Sequence, residues 1–218
     1  MAQVFPRYAN TVARAGLAGV VLGVVGIIGG MMAYVRSPYE TRVGIPIQQP
    51  VHFSHKHHVA DDGIDCRYCH TSVETSSFAG IPPTETCMNC HSQIWASSPA
   101  LEPIRQSFQT GKPIEWERVH NLPDFVYFNH SIHVNKGIGC VECHGRVDLM
   151  ETVYKQESLQ MGWCLDCHRD PAPRLRPPTE ITNMSWQPPA GRDRRGFGHE
   201  MMQQLNVQSK MDCSVCHR

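Results

Sequence analysis

Every cysteine in this chain sits in a copy of one pentapeptide, C-x-x-C-H. The five copies begin at Cys66, Cys87, Cys140, Cys164 and Cys213, and close their cysteine pairs at Cys69, Cys90, Cys143, Cys167 and Cys216. Each ends in a histidine: His70, His91, His144, His168 and His217. C-x-x-C-H is the attachment sequence of c-type haem. Two thiols add to the porphyrin vinyl groups, and the adjacent imidazole becomes the proximal ligand of the iron. A disulfide framework has no use for a histidine after every pair. Structural zinc wants two pairs together, or one pair with histidines at finger spacing. The expected cofactors are therefore five covalently bound haem c groups, and the expected chemistry is the movement of electrons.

Each iron also needs a distal ligand. Thirteen histidines less the five proximal ones leave eight. Four of these recur at equivalent places in F-x-H-x-x-H, which occurs at Phe53–His58 and again at Phe128–His133. His55, His58, His130 and His133 are the expected distal ligands. Their spacing puts each pair on one face of a short helix, so that one helix serves two haems. The fifth distal ligand is open between His120, His199 and the methionines Met184, Met201 and Met202. A His/Met iron would have a higher potential than a bis-His iron. His52 and His57 read as hydrogen-bonding or solvated imidazoles. With more imidazoles than irons, no coordination position need stay open for a substrate, which favours transfer over catalysis. No catalytic residue is expected.

The spacings reveal a duplication. The separation from Phe to the first motif cysteine is 13 residues in one copy and 12 in the other, and a second motif follows 21 or 24 residues later. Glu74-Thr75 and Glu151-Thr152 align, each threonine 12 residues before the next motif. Two dihaem modules are expected, over 37–112 and 113–178. A worn third copy, F-x-H-x-x-M at Phe197–Met202, precedes the fifth motif in 179–218. A Pro/Arg-rich strap over 169–195 should connect and wrap without forming a helix. Its arginines, Arg169, Arg174, Arg176, Arg192, Arg194 and Arg195, suit either partner docking or pairing within the molecule.

The positioning elements begin with a membrane anchor over 1–36. Residues 15–35 carry no charge and, as a helix, span about 31 Å, the thickness of a bilayer's hydrocarbon. The stretch is longer than a signal-peptide core, and no small-residue cleavage site follows it. Gly19 with Gly23, and Gly26 with Gly30, are spaced for close approach of a partner helix. Because c-type haem is loaded on the exported side, the expected location is a bacterial inner membrane with the haem domain periplasmic. The remaining chain offers about 36 residues per haem, too few for an ordinary core around each. The porphyrins must supply much of the interior, and such crowding implies a continuous series of haems. Zero net charge argues against nucleic acid as a partner.

With F-x-H-x-x-H preceding C-x-x-C-H, residues 51–91 and 127–168 resemble the class III multihaem cytochromes c, and 196–217 do so loosely. The fold class this implies is one transmembrane helix plus a mostly irregular, sparsely helical, haem-cored domain. The whole arrangement is similar to the pentahaem subunit of alternative complex III, a bacterial quinol-oxidising respiratory complex. The resemblance implies integral and peripheral partner subunits that hold the quinol site. It also implies a monohaem cytochrome or a terminal oxidase as electron acceptor. Two other readings compete. A self-sufficient membrane-anchored quinol dehydrogenase would typically carry four haems at other spacing. A pentahaem nitrite reductase would be longer and carry a lysine-ligated haem, whereas all five motifs here end in histidine.

Overall fold

The computed structural model describes residues 4–218. Two prolines bracket the first helix, α1 (Ala9–Tyr34): the Ala9 amide donates to the Pro6 carbonyl at 2.9 Å, and Pro38 opens the short α2 (Pro38–Thr41). Proline suits a first helical turn, where its missing N–H would have had no partner. α1 starts upstream of the expected span and takes in Arg14. None of its 26 residues is buried, and its most apolar 18-residue stretch has a mean hydropathy of 2.1. About 39 Å of apolar helix is long enough to cross a bilayer. Met1–Val43 and Gly44–Arg218 are separate compact units.

The second unit is built from short pieces. In chain order these are a π-helix (Lys56–Asp61), α3 (Cys66–Cys69), α4 (Thr84–His91), α5 (Glu102–Thr110), α6 (His130–Asn135), α7 (Val141–His144), α8 (Met161–Arg169), α9 (Arg194–Gln204) and α10 (Cys213–Cys216), with single 3-10 turns at Pro99–Leu101, Val147–Leu149, Ala172–Arg174 and Pro178–Glu180. Among the described residues there is no strand; Ile138 and Leu175 form an isolated bridge. The sparsely helical domain behind one apolar helix is thus as expected. Local capping sets where the pieces start. Asp65 accepts the Arg67 amide at 2.9 Å ahead of α3, Asn129 accepts the Ile132 amide ahead of α6, and Asp193 accepts the Gly196 amide at 2.8 Å ahead of α9.

Side chains alone build little interior. One cluster joins Val51, Leu101 and Ile104, with Cys87, Met88 and Trp116 against it; another joins Leu175, Phe197 and Met201, with Trp186 and Ile138 against it. Large apolar side chains close to the motifs stay exposed, among them Tyr68, Ile94, Trp95, Phe125, Tyr127 and Val215. A domain of this size normally buries most of its apolar surface. Here the chain forms apolar walls around the motifs in place of a continuous side-chain core.

The strap closes over the third motif. Arg176 is fully buried; its Nη2 donates to Glu142 Oε1 at 2.6 Å and its Nη1 to the Asn183 carbonyl at 3.0 Å, and its guanidinium lies over Trp186. Arg174 and Arg194 reach the same carboxylate at 3.0 and 3.3 Å. The other strap arginines pair with Asp166 (Arg169), Glu200 (Arg192) and Asp170 (Arg195). All six are therefore engaged within the molecule. Two glycines admit this packing: a side chain at Gly139 would strike the Arg176 guanidinium, and one at Gly198 would overlap the Ala172 carbonyl that α9 rests on.

The two F-x-H-x-x-H segments dock reciprocally. The Ser131 amide donates to the Ser76 carbonyl at 3.1 Å, and the Lys56 amide donates to the Met150 carbonyl at 3.1 Å. Ser76 follows His70 at the same interval as Met150 follows His144. Asn135 Nδ2 donates to the Glu74 carbonyl, and Ser54 and Lys56 bind the Glu151 carboxylate. Each half thus grips the loop that follows the other half's first motif.

Candidate functional site

Phe53 and Phe128 set the histidines beside them. Phe53 meets His55 edge-on (centroids 4.9 Å, 89°) and stacks on His58 (4.5 Å, 23°). Phe128 repeats this with His130 (4.7 Å, 88°) and His133 (4.6 Å, 27°). The copies agree although one backbone is a π-helix and the other an α-helix. The sequence leads one to expect an ordinary helical turn in both. The wider π turn is a local device often found at functional sites.

Backbone carbonyls then fix the tautomers. Nδ1 donates to a main-chain oxygen in His58 (Ser54, 2.8 Å), His70 (Gly80, 2.7 Å), His91 (Ile94, 3.1 Å), His130 (Ser77, 2.9 Å), His133 (Asn129, 2.7 Å), His168 (Lys210, 2.9 Å) and His217 (Phe125, 3.0 Å). A carbonyl can only accept, so the proton stays on Nδ1 and the Nε2 lone pair is left for a metal.

The rings come together in pairs. His58 and His91 have centroids 6.1 Å apart, His133 and His168 6.1 Å, and His130 and His144 6.5 Å with planes within 12°. Two imidazoles on one metal, each bound at about 2.0–2.1 Å, place their centroids roughly 6.3 Å apart. The repeat puts His55 opposite His70, as His130 stands opposite His144. Burial, then His70, pushes the His55 pKa down to about 4; burial, then His120 and His130, pushes His144 down to about 3. Both are held neutral, the form that binds metal.

The remaining histidines are placed differently. His120 is half-buried, its enclosed Nε2 lacks a partner, and its ring lies 4.3 Å from His144 at 71°. That separation is too short for a metal between the two rings. His199 is exposed on α9, in a cleft with Met202 and Asn206, while Phe197 turns inward against Trp186. The Phe-to-imidazole stacking of the first two copies is not repeated there. Met184 and Met201 are buried, Met201 in the Leu175 cluster. His52 meets the Thr152 hydroxyl, and His57 pairs with Asp62 and stacks on Trp95.

All ten thiols are free, and among the described residues no group of three or more His, Cys, Asp or Glu converges on one point. Burial pushes the Cys143 thiol up to about 12, and its hydrogen bond with Cys66, together with burial, raises Cys140. These are not activated thiolates. The donor set fits haem c and not zinc: paired thiols, imidazoles presented two by two, and apolar walls.

The phenylalanines, the carbonyl acceptors and the Glu142 cluster were not assigned roles from sequence. Only the phenylalanines carried a signal, by recurring ahead of both histidine pairs.

Comparison with known proteins agrees with the geometry. Residues 126–218 match the family described as cytochrome c7 and related cytochrome c. Over 161 residues the chain is 33% identical to the multihaem cytochrome c subunit of menaquinone reductase from Nitratidesulfovibrio vulgaris (strain Hildenborough), covering 73% of this chain and 68% of that one.

Proposed function

This chain belongs to the multihaem cytochromes c, and from that premise we propose that it is the five-haem electron relay of a membrane quinone-linked complex. The observation that carries the proposal is the presentation of imidazoles in pairs, seven of the imidazoles having the Nδ1 proton tied to a backbone carbonyl. Bound haem c supplies one-electron Fe(III)/Fe(II) chemistry. The chain's residues do the rest. The ten cysteines would hold the group through thioether bonds. His55 with His70, His58 with His91, His130 with His144, and His133 with His168 would ligate four of the irons. His217 takes one face of the fifth, with His120, His199 or a methionine for the other. With histidines enough to ligate the irons from both sides, no position need stay open for a substrate, which favours relay over catalysis.

α1 anchors the domain to the bacterial inner membrane, with the haem-bearing part on the periplasmic side, and partner subunits hold the quinone site. The resemblance to alternative complex III supports flow from quinol to a monohaem cytochrome or terminal oxidase. A second reading has flow towards the quinone, which is favoured by a relative named for reducing menaquinone.

Purification of the native complex from membranes tests the assignment. Integral subunits should co-purify, and a pyridine haemochrome assay should return five haems per chain. A chain that elutes alone, or carries appreciably fewer haems, refutes it. Stopped-flow mixing with menaquinol separates the two directions: rapid haem reduction supports the first, and oxidation of reduced haems by menaquinone supports the second. His58→Ala should keep five haems attached and turn one of them high-spin by EPR.

A further inference from the structure

We propose that the five motifs form one unbranched series in the spatial order second, first, third, fourth, fifth, with the motifs at Cys87 and Cys213 as its two ends. The order differs from that along the chain, and it rests on the five-haem reading above. Each link stands on its own contacts.

The second and first motifs touch through their variable residues, Asn89 Nδ2 donating to the Tyr68 hydroxyl at 3.2 Å. One turn carries both His55, whose repeat-equivalent His130 faces His144, and His58, opposite His91. The first and third motifs meet at the strap, beside their leading cysteines Cys66 and Cys140. Two consecutive strap residues hold this junction. The Ile181 carbonyl accepts the Cys140 amide at 3.0 Å, and the Thr182 hydroxyl donates to Asp65, the residue before Cys66, at 2.9 Å.

The third and fourth motifs share α6, whose His130 and His133 face His144 and His168. Arg174, just past the fourth motif, binds Glu142 inside the third. The fourth and fifth motifs are joined by the segment leading into α10. His168 Nδ1 donates to the Lys210 carbonyl at 2.9 Å, and the Ser209 hydroxyl donates to the His168 carbonyl at 2.6 Å. Among the described residues, no hydrogen bond or ring contact joins the second motif to the third, fourth or fifth.

The order follows from how the duplicated halves pair. Cys66 and Cys140 are repeat-equivalent, and the two loop contacts at Ser76 and Met150 are reciprocal. The halves therefore meet as the copies of a two-fold dimer do, through the same surface on each. Like ends touch, so the first motif of each half is central and the second motif of each half points away. The fifth motif extends only the end that belongs to the second half.

The test is an iron map of the full-length, haem-loaded protein, from anomalous diffraction at the iron edge or from cryo-EM of the complex. A haem count precedes it: a value well below five refutes the relay reading itself, separately from the order. With five haems present, the four shortest iron–iron separations should join motifs second–first, first–third, third–fourth and fourth–fifth. A second-motif iron whose nearest neighbour belongs to the third, fourth or fifth motif overturns the order. So does a first-motif iron with only one close neighbour.

Discussion

Phe53 and Phe128 each hold two imidazoles, one by its edge and one by its face. Ring contacts of this kind contribute about 0.5–1.5 kcal/mol each. Phe128→Leu should leave the haem count unchanged and move two of the low-spin EPR signals, because the planes of His130 and His133 lose their common wall. Unchanged signals would mean that the carbonyl bonds alone orient the rings. At this scale the sequence was most informative about groups whose spacing is local. The cysteine pairs and their histidines sit within five residues, and the F-x-H-x-x-H histidines within one turn. The acceptors that fix the tautomers were hidden. Gly80, Phe125 and Lys210 act through main-chain oxygens, which every residue owns, and Lys210 lies 42 residues from His168.

Among the elements, the strap is more deeply built in than its composition suggests. Its prolines keep it to two 3-10 turns, Ala172–Arg174 and Pro178–Glu180, before α9 starts at Arg194, where no helix was expected, and hydropathy gives no hint that Arg176 is fully buried. Removing one partner of a buried ion cluster leaves an uncompensated charge, at a cost of about 3–5 kcal/mol. Glu142→Gln should destabilise the domain by that order in guanidinium denaturation. Arg169→Gln, which breaks an exposed pair, should cost no more than about 1 kcal/mol. The cap of α3 responds to acid. The Arg67 guanidinium beside Asp65 holds its carboxyl down at about 2, below the ordinary 3.8. A lowered folded-state value means that the carboxylate stabilises the fold above pH 3.8, and that this support is lost as the pH falls towards 2. The stability gap between the native chain and Asp65→Asn should be constant near neutrality and close across that acid window in a denaturation series. A gap that is the same at pH 2 and pH 7 would count against the cap. The π-helix at Lys56–Asp61 was not legible, because its residues match those of an ordinary short helix.

For the whole molecule, composition and motif count correctly implied a chain without a conventional interior, and hydropathy correctly isolated one apolar helix. The reciprocal grip of the two halves was out of reach, since it is made of amide-to-carbonyl bonds between segments about 55 to 95 residues apart in a duplication that sequence could only align. The engaged strap arginines have a kinetic corollary. Cations already neutralised by carboxylates of the same chain contribute little long-range field, and the net charge is zero. A freely diffusing acceptor would then be captured by shape and not by attraction over distance. Its second-order rate should change less than about three-fold between low and high ionic strength, whereas steered encounters fall far more steeply. Stopped-flow oxidation at graded salt measures this directly, and a steep decline would locate the docking face on other cations of the exported unit.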